Sequence, residues 1–155
     1  MVVSPAERIR AALAGVTDDP GTDRAARPSA LGWATVELDR AARDLAAELG
    51  LAVDAFAPAA GSLALGARCR VAHGAIGGYV ALAILEPATE GRLAAMLARL
   101  GEGPAVVWLV ADDIAAADGP AATPGPFGWE RLVPGGPIRG LRWLLVGPAA
   151  GTIRP

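Results

Sequence analysis

The chain has no lysine, asparagine or glutamine, and every basic residue except His73 is an arginine. Without lysine there is no Schiff-base amine, which excludes covalent pyridoxal-phosphate and class I aldolase chemistry, and there is no P-loop lysine. GC-rich coding sequence accounts for the bias more simply than selection against amides. A single cysteine, Cys69, excludes an intrachain disulfide and any cysteine-built zinc cluster. Hydrophobic residues make up 53% of the 155 positions and mean hydropathy is +0.39. No apolar run nevertheless approaches the ~18 residues that a membrane helix needs, so a soluble protein is expected. Met1-Val2-Val3-Ser4-Pro5 has no basic segment leading into an apolar one, and a cytoplasmic location is the expectation. A net charge of −2 and a pI near 5.4 leave no footprint for nucleic acid or an anionic membrane.

What is present is patterned. Ser4-Pro5-Ala6-Glu7 combines an N-cap serine, a proline at the first helical position and a capping-box glutamate, predicting a helix from Pro5 to Val16. Ile9, Leu13 and Val16 form its apolar stripe. Residues 17 to 30 read as an exposed linker, and the N-terminal piece 1 to 30 as a cover for a sheet edge or a dimer contact. Leu31 to Leu38 predicts a strand, and Asp39 caps a helix that runs to Leu49, with Gly50 as its stop. Ala52 to Phe56 is a candidate strand, Pro58 to Gly61 a turn, and Gly66 to Ala72 a half-buried strand. Gly74 to Gly78 follows as a hairpin connection and Tyr79 to Glu86 as a further strand.

Pro87 ends that strand, since proline has no ladder donor. Thr89 opens a linker helix over 89 to 100, on which Leu93, Met96, Leu97 and Leu100 recur at helical spacing, and Gly101 ends it. Ala105 to Val110 is a β-branched run closed by Asp112-Asp113. Three prolines and two glycines between Ala115 and Pro126 leave room for one helical turn at most. Trp129 to Val133 and Leu141 to Val146 are strands, and Gly151 to Pro155 remains for an eighth.

Three segments together resemble the vicinal oxygen chelate superfamily, which includes glyoxalases, methylmalonyl-CoA epimerases, extradiol dioxygenases and bleomycin-resistance proteins. They are Leu85-Glu86-Pro87, Leu100-Gly101-Glu102-Gly103 and Val110-Ala111-Asp112-Asp113-Ile114. The resemblance implies an α+β fold: two βαβββ modules, about 31–87 and 104–155, forming one cupped mixed sheet across domain 31–155. The second module is abbreviated, or completed by another chain, and the N-terminal helix is extra. A homodimer is the expected assembly, because pairing of modules would supply missing edges.

The resemblance also implies metal ligands on four strands, and they fall here on Trp33, Glu86, Val106 and Leu144. Only Glu86 can bind a cation, and one carboxylate is too few for a divalent catalytic metal. No metal and no cofactor are therefore expected. Strand alternation then puts Ile84 and Leu82 beside Glu86, Trp108 beside Val106 and Thr35 beside Trp33, making an apolar cup with two indoles. Arg142 shares a face with Leu144 and could anchor a ligand anion.

Glu86 has two readings. Desolvation would raise its pKa and make it a general acid or base, or it pairs with Arg142 or Arg68 or caps the linker helix. Cys69 and His73 stand about 13 Å apart along an extended strand, too far for a nucleophilic pair. Asp112 and Asp113 point to opposite faces, and Trp129 and Trp143 read as core or interface. Tyr79 is expected on the helix side of its strand.

Three functions follow. The leading one is metal-independent binding of a small aromatic or polycyclic molecule in the cup. The alternative is a metal-independent isomerase, lyase or cyclase using Glu86. The third is a non-catalytic module whose cup is filled by its own side chains.

Overall fold

The computed structural model describes residues 2–17, 27–114, 117, 119–135, 137–138 and 140–147. The chain begins with helix α1 (Pro5–Thr17), and Ser4 and Glu7 form the expected reciprocal capping box. There follow β1 (Arg27–Ala34), α2 (Leu38–Glu48), β2 (Ala57–Ser62), β3 (Ala67–Ile76) and β4 (Val80–Pro87). Helix α3 (Arg92–Leu100) leads into β5 (Gly103–Val110), β6 (Thr123–Gly125), β7 (Gly128–Leu132) and β8 (Arg142–Val146). The expected strand at 151–155 lies outside the described residues.

All eight strands form one sheet in the order β2-β3-β4-β1-β5-β8-β7-β6. Its halves mirror one another. β1 pairs with β4, and β5 with β8, in parallel, while β1 and β5 join the halves antiparallel. The sheet curls until its two edges nearly meet, with Leu63 N–H donating to the Pro124 carbonyl at 3.2 Å. This is a mixed sheet close to a barrel, built from two linked βαβββ-like modules with an extra N-terminal helix. Among the described residues the second module has no α-helix between β5 and β6.

Several boundaries differ from the sequence reading for physical reasons. β1 begins at Arg27 rather than Leu31, because Arg27 and Pro28 pair with Val110 and Leu109 in spite of their loop-like composition. The first-module edge strand is Ala57–Ser62 and not 52 to 56. Its proline and glycine, read as a turn, sit on a strand with one unpaired side, where a missing N–H costs little. A strand that the sequence reading did not place is β6, in the proline-rich stretch.

The two faces of the sheet bury different side chains. On the outside Ile9 and Val16 of α1 and Leu45 of α2 pack with Leu31, Trp33, Leu82, Ile84, Val107, Leu109 and Trp143. On the inside are Ala30, Ala34, Ala81, Ala83, Leu85, Val106, Trp108, Leu144 and Val146, joined by Leu93 and Met96 of α3. The small inner residues of β1 and β4 make room for Trp108. A Cβ at Gly32 would stand 2.8 Å from Leu85 Cδ1 and 3.0 Å from both Trp108 Cζ3 and Val106 Cβ.

Candidate functional site

Among the described residues the interior of the curled sheet contains one buried carboxylate, brought in by β7. Along that strand Glu130 and Leu132 alternate inward while Trp129 stays 62% exposed. Ser62 Oγ donates to Glu130 Oε2 at 2.6 Å, and Trp108 Nε1 donates to Oε1 at 3.0 Å. Ser62 lies on β2 and Trp108 on β5, neither of which neighbours β7, so the three side chains meet across the interior. The Ser62 oxygen accepts the Leu65 N–H at 3.2 Å, leaving its proton for the carboxylate.

Glu130 is fully buried, and both side-chain donors are neutral. Burial pushes its carboxyl above the ordinary carboxylate range, although the bonds from Ser62 and Trp108 favour the ionised form. Gly125 is required next to it, because a Cβ there would overlap the carboxylate. Burial also pushes the Cys69 thiol up to about 12, with the Glu130 charge adding to the effect. A thiol in that state is a packed group rather than a nucleophile.

Phe127, in the β6–β7 turn, lies edge-on to Trp108 with ring centroids 5.1 Å apart, and His73 lies edge-on to Phe127 at 6.2 Å. A hollow of about 340 Å³ opens at this end of the sheet, lined by Ser29, His73, Tyr79, Phe127 and Val146 among others. Tyr79 is 84% exposed in the β3–β4 turn, not packed on the helix side as expected.

The structure divides the residues expected to share one pocket. Val106, Trp108 and Leu144 line the interior. Trp33, Leu82 and Ile84 face the other way, into the helix-covered core, where the Arg8 guanidinium stacks 5.2 Å from the Trp33 ring. The alternation expected for β1 and β4 is thus one residue out of phase, because the interior has space only for their small residues. Thr35 is buried at the end of β1, its hydroxyl donating to Glu102. Arg142 donates from Nη1 to the Gly135 carbonyl at 3.0 Å.

Glu86 lies on the outer face. It accepts the Leu38 N–H at 2.7 Å, so it caps α2 rather than the linker helix, and it pairs with Arg68. Burial pushes its carboxyl up, but the Leu38 N–H and the Arg68 guanidinium outweigh that and hold it below the ordinary range. The direction is opposite to that expected of a desolvated general base.

No protein-family profile matches the chain, and no curated protein does. Solved structures do. A hypothetical protein from Bacillus halodurans superposes with a TM-score of 0.64 at 14% identity, covering 84% of this chain and 100% of its own. A methylmalonyl-CoA epimerase variant from Streptomyces coelicolor gives 0.63 at 21% identity, with 83% and 98% covered. Methylmalonyl-CoA epimerase from Mycobacterium tuberculosis gives 0.64 at 18% identity, with 79% and 88% covered.

The chain has the vicinal oxygen chelate fold.

Within that fold the resemblance places cation ligands on the inner faces of β1, β4, β5 and β8. Those faces present Ala30, Gly32 and Ala34, then Ala81, Ala83 and Leu85, then Val106 and Trp108, then Leu144 and Val146. None of these side chains can coordinate a metal ion. Among the described residues no three histidine, cysteine or acidic side chains come together. The donor set of this chain does not fit the cation centre that the fold family implies. Instead the cupped sheet, a shape able to form a small-molecule site, has a neutral inner wall and the buried Glu130 carboxylate, with the hollow beside Phe127 opening at its end.

Sequence reasoning missed Glu130, Ser62 and Phe127. A signal for the first was available, since Glu130 and Leu132 share a parity on a strand that was correctly placed, and a carboxylate on a core parity is rare. Ser62 gave no such signal, because its strand was read as a turn.

Proposed function

We propose that this protein catalyses metal-independent proton transfer on a small molecule, as an isomerase or lyase, with Glu130 as the acid–base group. The observation that carries this is the Glu130 carboxylate itself, fully buried, held by Ser62 and Trp108, with its proton affinity raised by burial. A carboxyl tuned upward in this way moves toward the neutral pH at which general acid–base catalysis works best. Trp108 and Ser62 would fix its orientation, and the β6–β7 turn carrying Phe127 would have to yield for a substrate to reach it.

The epimerases of similar fold act on methylmalonyl-CoA, as their names state, and epimerisation at a carbon is a proton-transfer reaction. In this chain that chemistry would pass to Glu130 rather than to Glu86, whose low pKa and capping role suit it to structure. Val106, Trp108 and Leu144 are proposed as the apolar floor, and Arg142 as a polar group at its edge. The aromatic hollow of His73, Tyr79 and Phe127 supports a ligand with an aromatic part. A cytoplasmic homodimer without nucleic-acid or membrane partners completes the reading.

The test is solvent exchange. Metabolite mixtures incubated with the protein in D2O are followed by proton NMR for loss of an acidic C–H signal. Exchange by the native protein, reduced about 10²- to 10⁴-fold in Glu130→Gln and retained in Glu86→Gln, is expected. Exchange that persists in Glu130→Gln overturns the assignment. Saturable binding without any exchange supports the second reading, a binding protein, which the open hollow beside Phe127 favours.

A further inference from the structure

Among the described residues two side chains bond to the Glu130 carboxylate, and they differ in what they can do with a proton. The Trp108 indole donates its N–H to Oε1 at 3.0 Å and has no lone pair with which to accept another, so it holds the carboxylate without passing a proton on. The Ser62 hydroxyl has one proton and two lone pairs. Its proton goes to Oε2 at 2.6 Å and one lone pair takes the Leu65 N–H at 3.2 Å. The second lone pair is left over.

Ser62 is also the partner that reaches toward solvent. Although buried, it lines a hollow of about 460 Å³ at the turn between β2 and β3, where Leu63 is 70% exposed. Arg68 and Thr89 line the same hollow, so water there would find the polar partners that an ordered water needs. Gly66 keeps the space beside Thr89 open. Its φ is +68°, its N–H donates to the Ser62 carbonyl at 3.0 Å, and a Cβ there would stand 2.7 Å from Thr89 Oγ1. Cys69 offers no other route, because its thiol, pushed up to about 12, holds its proton too tightly.

We propose that Ser62 is the proton relay between Glu130 and solvent. A proton taken from bulk through water in the hollow enters the spare lone pair while the proton already on Ser62 moves to Oε2. Rotation of the hydroxyl resets it, and the reverse shift returns a proton from Glu130 to solvent. This rests on the reading of Glu130 as the acid–base group and adds the positioning residue that reloads it. Substrate is then met on the side of Trp108 and Phe127, and solvent on the side of Ser62.

Rapid-mixing infrared spectroscopy of the whole chain tests the relay without any substrate. Between about pH 4 and pH 5 a protonated Glu130 gives a C=O band, identified by its loss in Glu130→Gln, that shifts when D2O replaces H2O. Ser62→Ala should slow that shift about tenfold or more, and Ser62→Thr, which keeps a hydroxyl, should restore most of the native rate. Ala88→Phe, at an exposed position in the wall of the hollow, should slow it with Ser62 intact by excluding water. A rate unchanged in Ser62→Ala or in Ala88→Phe overturns the relay, as does a slowing that Ser62→Thr shares in full. In those cases the band itself remains and the acid–base reading of Glu130 survives, whereas absence of the band overturns both.

Discussion

The Trp108 indole donates to Glu130 across the inside of the sheet at 3.0 Å, bridging strands that are not neighbours. Ser62 completes the link on the other oxygen, so one carboxylate joins β2, β5 and β7 where the sheet's two edges approach. Replacing Glu130 by alanine would leave a buried indole N–H and a buried hydroxyl without acceptors and open a cavity. A loss of about 2–4 kcal/mol in urea unfolding is expected. Glu130→Gln keeps the shape and an acceptor for Trp108, and should cost well under half of that.

The same carboxylate predicts a pH dependence. Its folded-state pKa is raised above the ordinary value of 4.5, so its contribution is fully present below the unfolded pKa and is lost as pH rises through the folded one. Glu86 and Glu102 are shifted downward, and they act at the other end, losing their contribution as pH falls through their folded values. Native protein and Glu130→Gln, unfolded in urea at pH 5 and pH 8, should diverge: the stability difference shifts in favour of the glutamine variant at the higher pH. A difference independent of pH would mean that Glu130 titrates normally.

The architecture was legible where local rules and packing agree. The capping box of α1 and the β-branched run of β5 each have one strong local solution and formed, while the stripe of α3 formed only in part, since the helix begins at Arg92 rather than Thr89 and Leu100 stays exposed. The resemblance built on Glu86-Pro87, Leu100 to Gly103 and Val110 to Ile114 led to the observed fold. What failed was the facing of β1 and β4. Both sides of those strands are apolar, so alternation has no polar partner to fix its phase, and only the bulk of Trp108 on the adjacent strand decides it. The Glu130 site was hidden for a related reason, since its partners come from strands that only three-dimensional closure brings together.

Glu86 yields a separate prediction, since it stabilises a helix that begins forty-eight positions earlier in the chain. Helix α2 has no side-chain cap of its own at Glu37, and the Leu38 N–H is satisfied by the Glu86 carboxylate at 2.7 Å. Glu86→Ala should cost roughly 0.5–2 kcal/mol, the range of a lost N-cap. Hydrogen exchange should show the cost confined to the first turn of α2, with amides of α1 unchanged. A destabilisation spread evenly over both helices would argue against capping as the cause.

Gly32 offers the sharpest test of how the interior is filled. Its φ is not in the left-handed region, so the backbone would accept alanine; space is the constraint. The added methyl would meet Leu85 Cδ1 at 2.8 Å and Trp108 Cζ3 at 3.0 Å, with Val106 Cβ also at 3.0 Å. Leu85 can turn aside, but Trp108 is pinned by its bond to Glu130 and by Phe127 edge-on at 5.1 Å. Gly32→Ala should therefore destabilise by about 1–3 kcal/mol, as overpacking does. It should also loosen the indole from the carboxylate, shifting the tryptophan emission that Gly50→Ala, strained only in its own backbone at φ +67° and with open space around it, leaves unchanged. If emission stays fixed and only stability falls, Leu85 has absorbed the strain. A Gly32→Ala protein as stable as the parent would mean that the interior is not close-packed around Trp108, and the explanation given for the small residues of β1 and β4 would fail.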